Sequence, residues 1–314
     1  MSDPTHASGP AGVFAAALTP FTQDLEPNPK AFVAHCRWLL DNGCDGLAPL
    51  GTTGEANSLT AAQRLSLIEA AAEAGLPMER MIAGGGSCAL AEAVHMTKSL
   101  IGLGCAGVLT LPPFYYKNPS EDGLFAFFSE LIQRVGDTRY RLYLYHFPVM
   151  STVPFPPSLI ARLLKEYPGT VAGLKDSSGD WSYSEHLLKE YPGFGVFSGS
   201  ELFLLDNLRH GGPGCISAST NATAPLARLV RENWQGDKAD ELQAAMAEVR
   251  MTLQKYPMIM ALKYLKSRLT GDQGWLNALP PQVPFTDEQA RQLMADLEAL
   301  PQFAPVLKLA VKAA

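Results

Sequence analysis

At 314 residues, 47% of them apolar, the chain can bury a large core, and its length fits either two domains or one α/β barrel. A net charge of −6, a pI near 5.6 and the lack of any basic run or stripe speak against nucleic-acid binding. Five widely spaced cysteines without a Cys-x-x-Cys pair suit a reducing cytoplasm better than a disulfide framework, and the chain lacks the run of about 18 apolar residues that a membrane span needs.

Residues 1–10 carry neither a basic start nor an apolar stretch, and read as a disordered leader rather than a signal peptide. From about residue 12, short apolar runs alternate with longer segments of helical spacing. The runs cover residues 13–18, 46–50, 81–85, 106–111, 141–146, 171–175, 195–198 and 214–218, giving eight candidate strands. Helical patterns cover 29–42, 61–74, 90–102, 121–135, 157–166, 183–190 and 201–210. The strands are almost continuously apolar, as strands covered on both faces are, and the alternation predicts a parallel sheet. Eight such units predict a closed (β/α)8 TIM barrel over residues 11–235.

Strand signals stop near Thr223. Helical patterns continue at 224–235, 238–254, 259–269 and 286–300, the first two covering the last barrel helix and its continuation. Residues 236–314 thus form a helical C-terminal extension. Pro280, Pro281 and Pro284 make a rigid connector, and Thr286 ahead of Asp287, Glu288 and Gln289 reads as a helix start. Residues 303–314 fit a last amphipathic helix.

Gly84–Ala89 fits the G-x-G-x-x-A dinucleotide pattern after a strand. That fingerprint needs an acid at the end of the next strand to hold the ribose, and here the strand ends Leu109-Thr110-Leu111-Pro112. Tight turns at barrel ends explain these glycines, and Gly102-x-Gly104-x-x-Gly107 leads into a strand instead of leaving one. The histidines are scattered and form no His-Glu-x-x-His or Cys-His cluster, so neither a metal nor an organic cofactor is predicted.

Three features carry chemistry. Gly51-Thr52-Thr53-Gly54-Glu55 follows the second strand, and its hydroxyls and backbone N–H groups can cradle a carboxylate. Tyr145 stands at the carboxyl end of the fifth strand, in Tyr145-His146-Phe147-Pro148. Lys175 ends the sixth strand directly, with its stem among apolar neighbours, where desolvation favours a neutral nucleophilic amine. Taken singly, these also fit an ordinary turn, a barrel-end aromatic and a solvated loop lysine. Together they fall on the face where barrel active sites are built. They supply a carboxylate cradle, a phenol and an amine, the parts needed for imine chemistry on a 2-oxo acid.

With G-T-T-G-E, Y-x-x-P and Gly173-x-Lys175-Asp176-x-Ser178-Gly179-Asp180 in place, the sequence resembles the dihydrodipicolinate synthase / N-acetylneuraminate lyase family. The resemblance runs through about residues 12–225 and more loosely to the C-terminus. It implies that Lys175 forms an imine with pyruvate and that Tyr145 shuttles protons. It implies that Thr52 and Thr53 bind the carboxylate and pass protons, with Thr53 assisting Tyr145. It implies a tyrosine lent by a neighbouring subunit of a homotetramer, a role for which Tyr115 and Tyr116 compete. Ile216 matches a position whose backbone lies near the lysine.

One departure bears on the substrate. Dihydrodipicolinate synthases carry an arginine two residues after the proline of Y-x-x-P, and here that place is Met150. A thioether cannot replace a bidentate charged contact to a carboxylate. Neuraminate lyases resemble the Tyr145–Ser151 segment more closely, yet they imply Asp-Glu after the seventh strand, where Ser200-Glu201-Leu202 offers one acid. The sixth-strand motif is close to that of hydroxy-oxoglutarate and 2-keto-3-deoxy sugar-acid aldolases or dehydratases. Ser177, Ser178, Glu201 and Met150 are the candidates for contacting the substrate tail, with helix capping as the other reading of the serines. The implied function is a Schiff-base lyase cleaving a 2-oxo acid to pyruvate and an aldehyde. Dihydrodipicolinate synthesis from aspartate semialdehyde, or a non-catalytic sugar-acid sensor, are the alternatives.

Overall fold

The computed structural model describes residues 9–309. Residues 1–8, the bulk of the expected leader, and 310–314, the end of the expected last helix, lie outside the described residues. Eight parallel strands form the expected barrel: β1 (Gly12–Ala15), β2 (Gly46–Leu47), β3 (Ile82–Gly84), β4 (Gly107–Thr110), β5 (Leu142–His146), β6 (Val171–Asp176), β7 (Gly195–Ser198) and β8 (Gly214–Ser217). Their order is β2-β1-β8-β7-β6-β5-β4-β3. A parallel bridge between Leu47 and Met81, and a hydrogen bond from Gly84 N–H to the Pro49 carbonyl (2.8 Å), join β2 to β3.

The strands face two cores. Val13, Ala15, Leu144, Leu174, Val196 and Cys215 point outward to the helices. Phe14, Ile82, Leu109, Tyr143, Phe197 and Ile216 point into the barrel. Both faces are therefore apolar, which is why the strands read as unbroken runs. Large rings fill the interior where the facing residue lacks a side chain. A Cβ on Gly46 would overlap the Phe14 ring, and one on Gly107 or Gly173 would overlap Tyr143.

The helices around the barrel are α1 (Pro29–Asp41), α2 (Ala61–Glu73), α3 (Leu90–Gly102), α4 (Glu121–Val135), α5 (Pro148–Ser151), α6 (Pro157–Glu166), α7 (Trp181–Glu190), α8 (Leu204–Arg209) and α9 (Thr220–Asn233). They are followed by α10 (Ala239–Leu253), α11 (Met258–Thr270), α12 (Asp287–Glu298) and α13 (Ala304–Leu309). α5 has no counterpart in the sequence reading. Pro148 opens it at the first helical position, and four residues are too few to show a period. Thr286 does open α12, through a capping box with Gln289. A second cluster around Leu253, Leu262, Leu265, Trp275, Leu293 and Phe303 binds α10–α13 together. No helix among the described residues is long and apolar enough to cross a membrane.

Helix α11 buries a lysine against α1. Lys266 is buried with its Nζ 3.5 Å from the centre of the Trp38 ring. Desolvation pushes its pKa from the usual lysine range down to about 7. The unfolded chain therefore binds a proton between pH 7 and about 10 that the folded chain does not. The contribution of Lys266 to stability is expected to rise with pH across that window. Lys266→Met is expected to gain on the order of 2 kcal/mol near pH 7, with the gain shrinking towards pH 10, in urea unfolding curves.

Candidate active site

Lys175 and Tyr145 are direct neighbours in the β5–β6 ladder. Paired residues of parallel strands point to the same face, so both side chains enter the barrel mouth together. Lys175 is 4% exposed, and its Nζ lies 3.3 Å from Tyr145 Oη. The same hydroxyl lies 3.3 Å from Thr52 Oγ1. An amine, a phenol and an alcohol thus stand in one hydrogen-bonded row. Lys175 is not among the ion pairs formed by the described residues. The adjacent Asp176 carboxylate is turned away from it, accepting from Ser178 N–H (2.9 Å) and Ser184 Oγ (2.7 Å).

The row opens onto a cavity of about 610 Å3. Thr52, Thr53, Tyr145, Phe147 and Lys175 form its inner end. Ser177, Ser178, Ser198 and Ser200 line one side, and Arg250, Gln254, Met258 and Gln282 enter from the C-terminal helices and connector. The wall combines apolar surface with a few hydroxyls and amides, as expected for a site that takes a small polar molecule.

The remaining predicted residues separate into groups. Thr53 is buried in the cavity wall, while it is the Thr52 hydroxyl that meets Tyr145. Ser177 and Ser178 line the cavity, and the cap of α7 is Asp180, which accepts from Ser182 N–H at 3.0 Å. Ile216 packs inside the barrel with Phe197 and Tyr145. Tyr115 and Tyr116 are 72% and 79% exposed on their loop and do not line the cavity of their own chain.

Two candidates need correcting. Glu201, expected to grip the substrate, is fully buried and absent from the cavity wall. Its carboxylate accepts from Ser217, from Ser219 Oγ (2.5 Å) and from Thr223 Oγ1 (2.7 Å), so its oxygens are already engaged. Met150, placed among the substrate contacts, is 60% exposed on α5 and stands outside the cavity. The helical turn started by Pro148 carries it away from the mouth.

Sequence reasoning missed Arg250 and Gln254. Arg250 lies in the last turn of α10 and Gln254 is its C-cap, and neither belongs to a motif. Arg250 Nη1 donates to Ser219 Oγ at 3.1 Å, and no carboxylate forms an ion pair with it among the described residues. His146 is a structural member of the site. It accepts from Phe155 N–H at 3.1 Å and stacks on Tyr183 with centroids 4.3 Å apart, and burial lowers its pKa. The glycines at 84–86 do not form the expected tight turn: Gly84 ends β3, Gly85 and Gly86 lead off it, and what the missing side chains allow is close approach of neighbouring backbone. Arg64 donates to the carbonyls of Gly84 (2.9 Å) and Gly86 (3.3 Å), and a Cβ on Gly84 would overlap the Leu50 carbonyl.

The chain is similar to known proteins along most of its length. An uncharacterized DapA-like lyase of Chloroflexus aurantiacus is 34% identical over 299 residues, covering 93% of this chain and 97% of that protein. A 4-hydroxy-tetrahydrodipicolinate synthase of Rhizobium meliloti is 32% identical over 262 residues, covering 82% of this chain and 87% of its own. The solved dihydrodipicolinate synthase of Agrobacterium tumefaciens superposes with a TM-score of 0.84 at 33% identity, over 92% of this chain and 99% of that one. A variant of the 2-keto-3-deoxygluconate aldolase of Sulfolobus solfataricus shares the fold, with a TM-score of 0.84 at 22% identity over 95% of this chain and 99% of that one. The sequence profile of the dihydrodipicolinate synthetase family matches residues 9–300, and the chain belongs to that family.

Proposed function

We propose that this lyase works through an imine between Lys175 and a 2-oxo acid, cleaving the acid to pyruvate and an aldehyde. The observation that carries the reading is the Lys175–Tyr145–Thr52 row, with both contacts at 3.3 Å. Thr52, Thr53 and their turn cradle the substrate carboxylate. The unprotonated amine adds to the C2 ketone, and Tyr145 delivers the proton that lets water leave. The resulting iminium draws the electrons of the C3–C4 bond as that bond breaks, while Tyr145 takes the C4 hydroxyl proton. The aldehyde departs and leaves an enamine. Protonation at C3 and hydrolysis then release pyruvate. Loss of the C3 proton with departure of a C4-side hydroxyl is the dehydratase variant of the same imine.

The tail of the substrate extends past Ser177 and Ser178 towards Arg250 and Gln254. A tail anion would meet Arg250, the cation of that wall. Arg250→Met is expected to raise KM roughly 10–100-fold for substrates with an anionic tail and to change KM for neutral-tailed analogues by less than about threefold. Initial-rate kinetics on paired substrates check this. The same arginine supports a second reading, dihydrodipicolinate synthesis, in which it would take the semialdehyde carboxylate in place of the arginine absent at position 150. Turnover of pyruvate with aspartate semialdehyde separates the two. The reading also carries an oligomer in which Tyr115 or Tyr116 reaches a neighbouring copy.

Borohydride reduction in the presence of pyruvate, followed by peptide mapping, tests the central claim. The reading predicts a stable adduct on Lys175. No adduct, or an adduct on another lysine, refutes it.

A further inference from the structure

The turn that presents Thr52 is held by an ion pair the proposed chemistry does not use. The residues bracketing Gly51–Gly54, Leu50 and Glu55, both have left-handed backbones, with φ of 59° and 55°. Non-glycine residues adopt that conformation only where surrounding contacts impose it. Glu55 N–H donates to the Thr52 carbonyl at 3.1 Å, so a change in the Glu55 backbone passes directly to Thr52. From the segment that follows β1, Thr19 Oγ1 donates to the Gly54 carbonyl at 2.7 Å and holds the near side of the turn.

The far side is held by the C-terminal helices. The buried Glu55 carboxylate pairs with Lys263 of α11, which is fully buried, and its Oε2 accepts from Leu279 N–H at 3.1 Å. Lys263 Nζ donates to the Asn277 carbonyl at 2.8 Å and lies 4.2 Å from the centre of the Phe21 ring. Asn277 Nδ2 in turn donates to the Phe21 carbonyl at 3.1 Å. Desolvation makes such a pair a weak source of net stability, but its geometry is stringent and its loss on one side is costly.

We propose that Glu55 and Lys263 are positioning residues, through which the C-terminal helices hold the Thr52 hydroxyl on Tyr145. The extension is then part of the proton relay as well as a cover for the barrel. This rests on the imine reading above.

The test is exchange of pyruvate methyl protons in D2O, followed by NMR on the full chain. Enamine formation washes these protons out, and the row of Tyr145 and Thr52 moves them. The double variant Glu55→Gln/Lys263→Met removes both charges and so avoids an uncompensated one. It is expected to slow exchange about 10–100-fold. In a Thr52→Val background the same pair of changes is expected to slow exchange by less than about twofold, because the hydroxyl it positions is already gone. Unchanged exchange in the double variant, or slowing that multiplies with that of Thr52→Val, overturns the proposal. If circular dichroism shows the double variant unfolded, the isosteric Glu55→Gln alone is read by the same two outcomes. A wild-type chain that neither exchanges nor is trapped on Lys175 refutes the imine reading and the positioning role of Glu55 and Lys263 with it. Wild-type exchange with insensitive variants refutes the positioning role alone.

Discussion

Lys175→Ala is expected to lose the borohydride-trapped pyruvate adduct entirely and to lower turnover on the order of 10⁴-fold or more. The side chain is the only amine in the row with Tyr145 and Thr52. Removing it leaves a carboxylate cradle that still binds a 2-oxo acid with no nucleophile to attack it. Lys175→Arg is expected to fail as completely. A guanidinium keeps its proton at any pH the protein tolerates and has no lone pair to donate. Both variants should fold, because the lysine head borders a cavity and not the packed layers. Mass spectrometry of the trapped protein, with circular dichroism as the folding control, reads the result. Residual turnover within tenfold of wild type would sink the covalent mechanism.

Tyr145→Phe is expected to lower turnover about 10²–10³-fold and to slow adduct formation without abolishing it. The change deletes one oxygen. The ring stays stacked on Phe147, with centroids 5.7 Å apart, and keeps its place beside the Lys175 head. The lost function is proton transfer, since the amine can still attack while solvent supplies protons slowly. Pre-steady-state trapping at timed intervals distinguishes this from Lys175→Ala: slow full labelling against none. Rapid labelling at the wild-type rate would place the relay on another group.

Much of the barrel was legible because its strands are apolar on both faces. Leu174 and Val196 face helices while Phe197 and Tyr143 fill the interior, so the runs stand out whatever the register. Helix boundaries were readable where a cap or a proline marks them, as at Ser120, Pro157 and Thr286. Lys175, Tyr145, Thr52 and Thr53 were legible because each sits where a strand ends, and parallel strands bring those ends together.

The far side of the cavity was not legible. Arg250 and Gln254 reach it by tertiary packing of α10 against the barrel, which no local pattern encodes. Glu201 looked like a free acid because its partners, Ser217, Ser219 and Thr223, belong to β8 and α9 and come later in the chain. Exposure decided Met150, and it depends on the turn that Pro148 starts. Lys263 gave no signal either, because a lysine inside a helix reads as a surface residue until its partner across the fold is known.

The rings of Phe14 and Tyr143, seated against glycines, and of Phe197 packed on both, have a consequence for molecular traffic. They fill the barrel interior beneath Lys175, so that substrate, water and products of the proposed reaction would share the mouth of the cavity above it. On the imine mechanism proposed above, the keto-acid half would be tethered at Lys175 and the aldehyde half would lie nearer the opening. The aldehyde would then leave first, and only afterwards could water reach the imine and pyruvate follow. In the synthetic direction the queue would reverse, with pyruvate entering before its partner and an early aldehyde blocking the way.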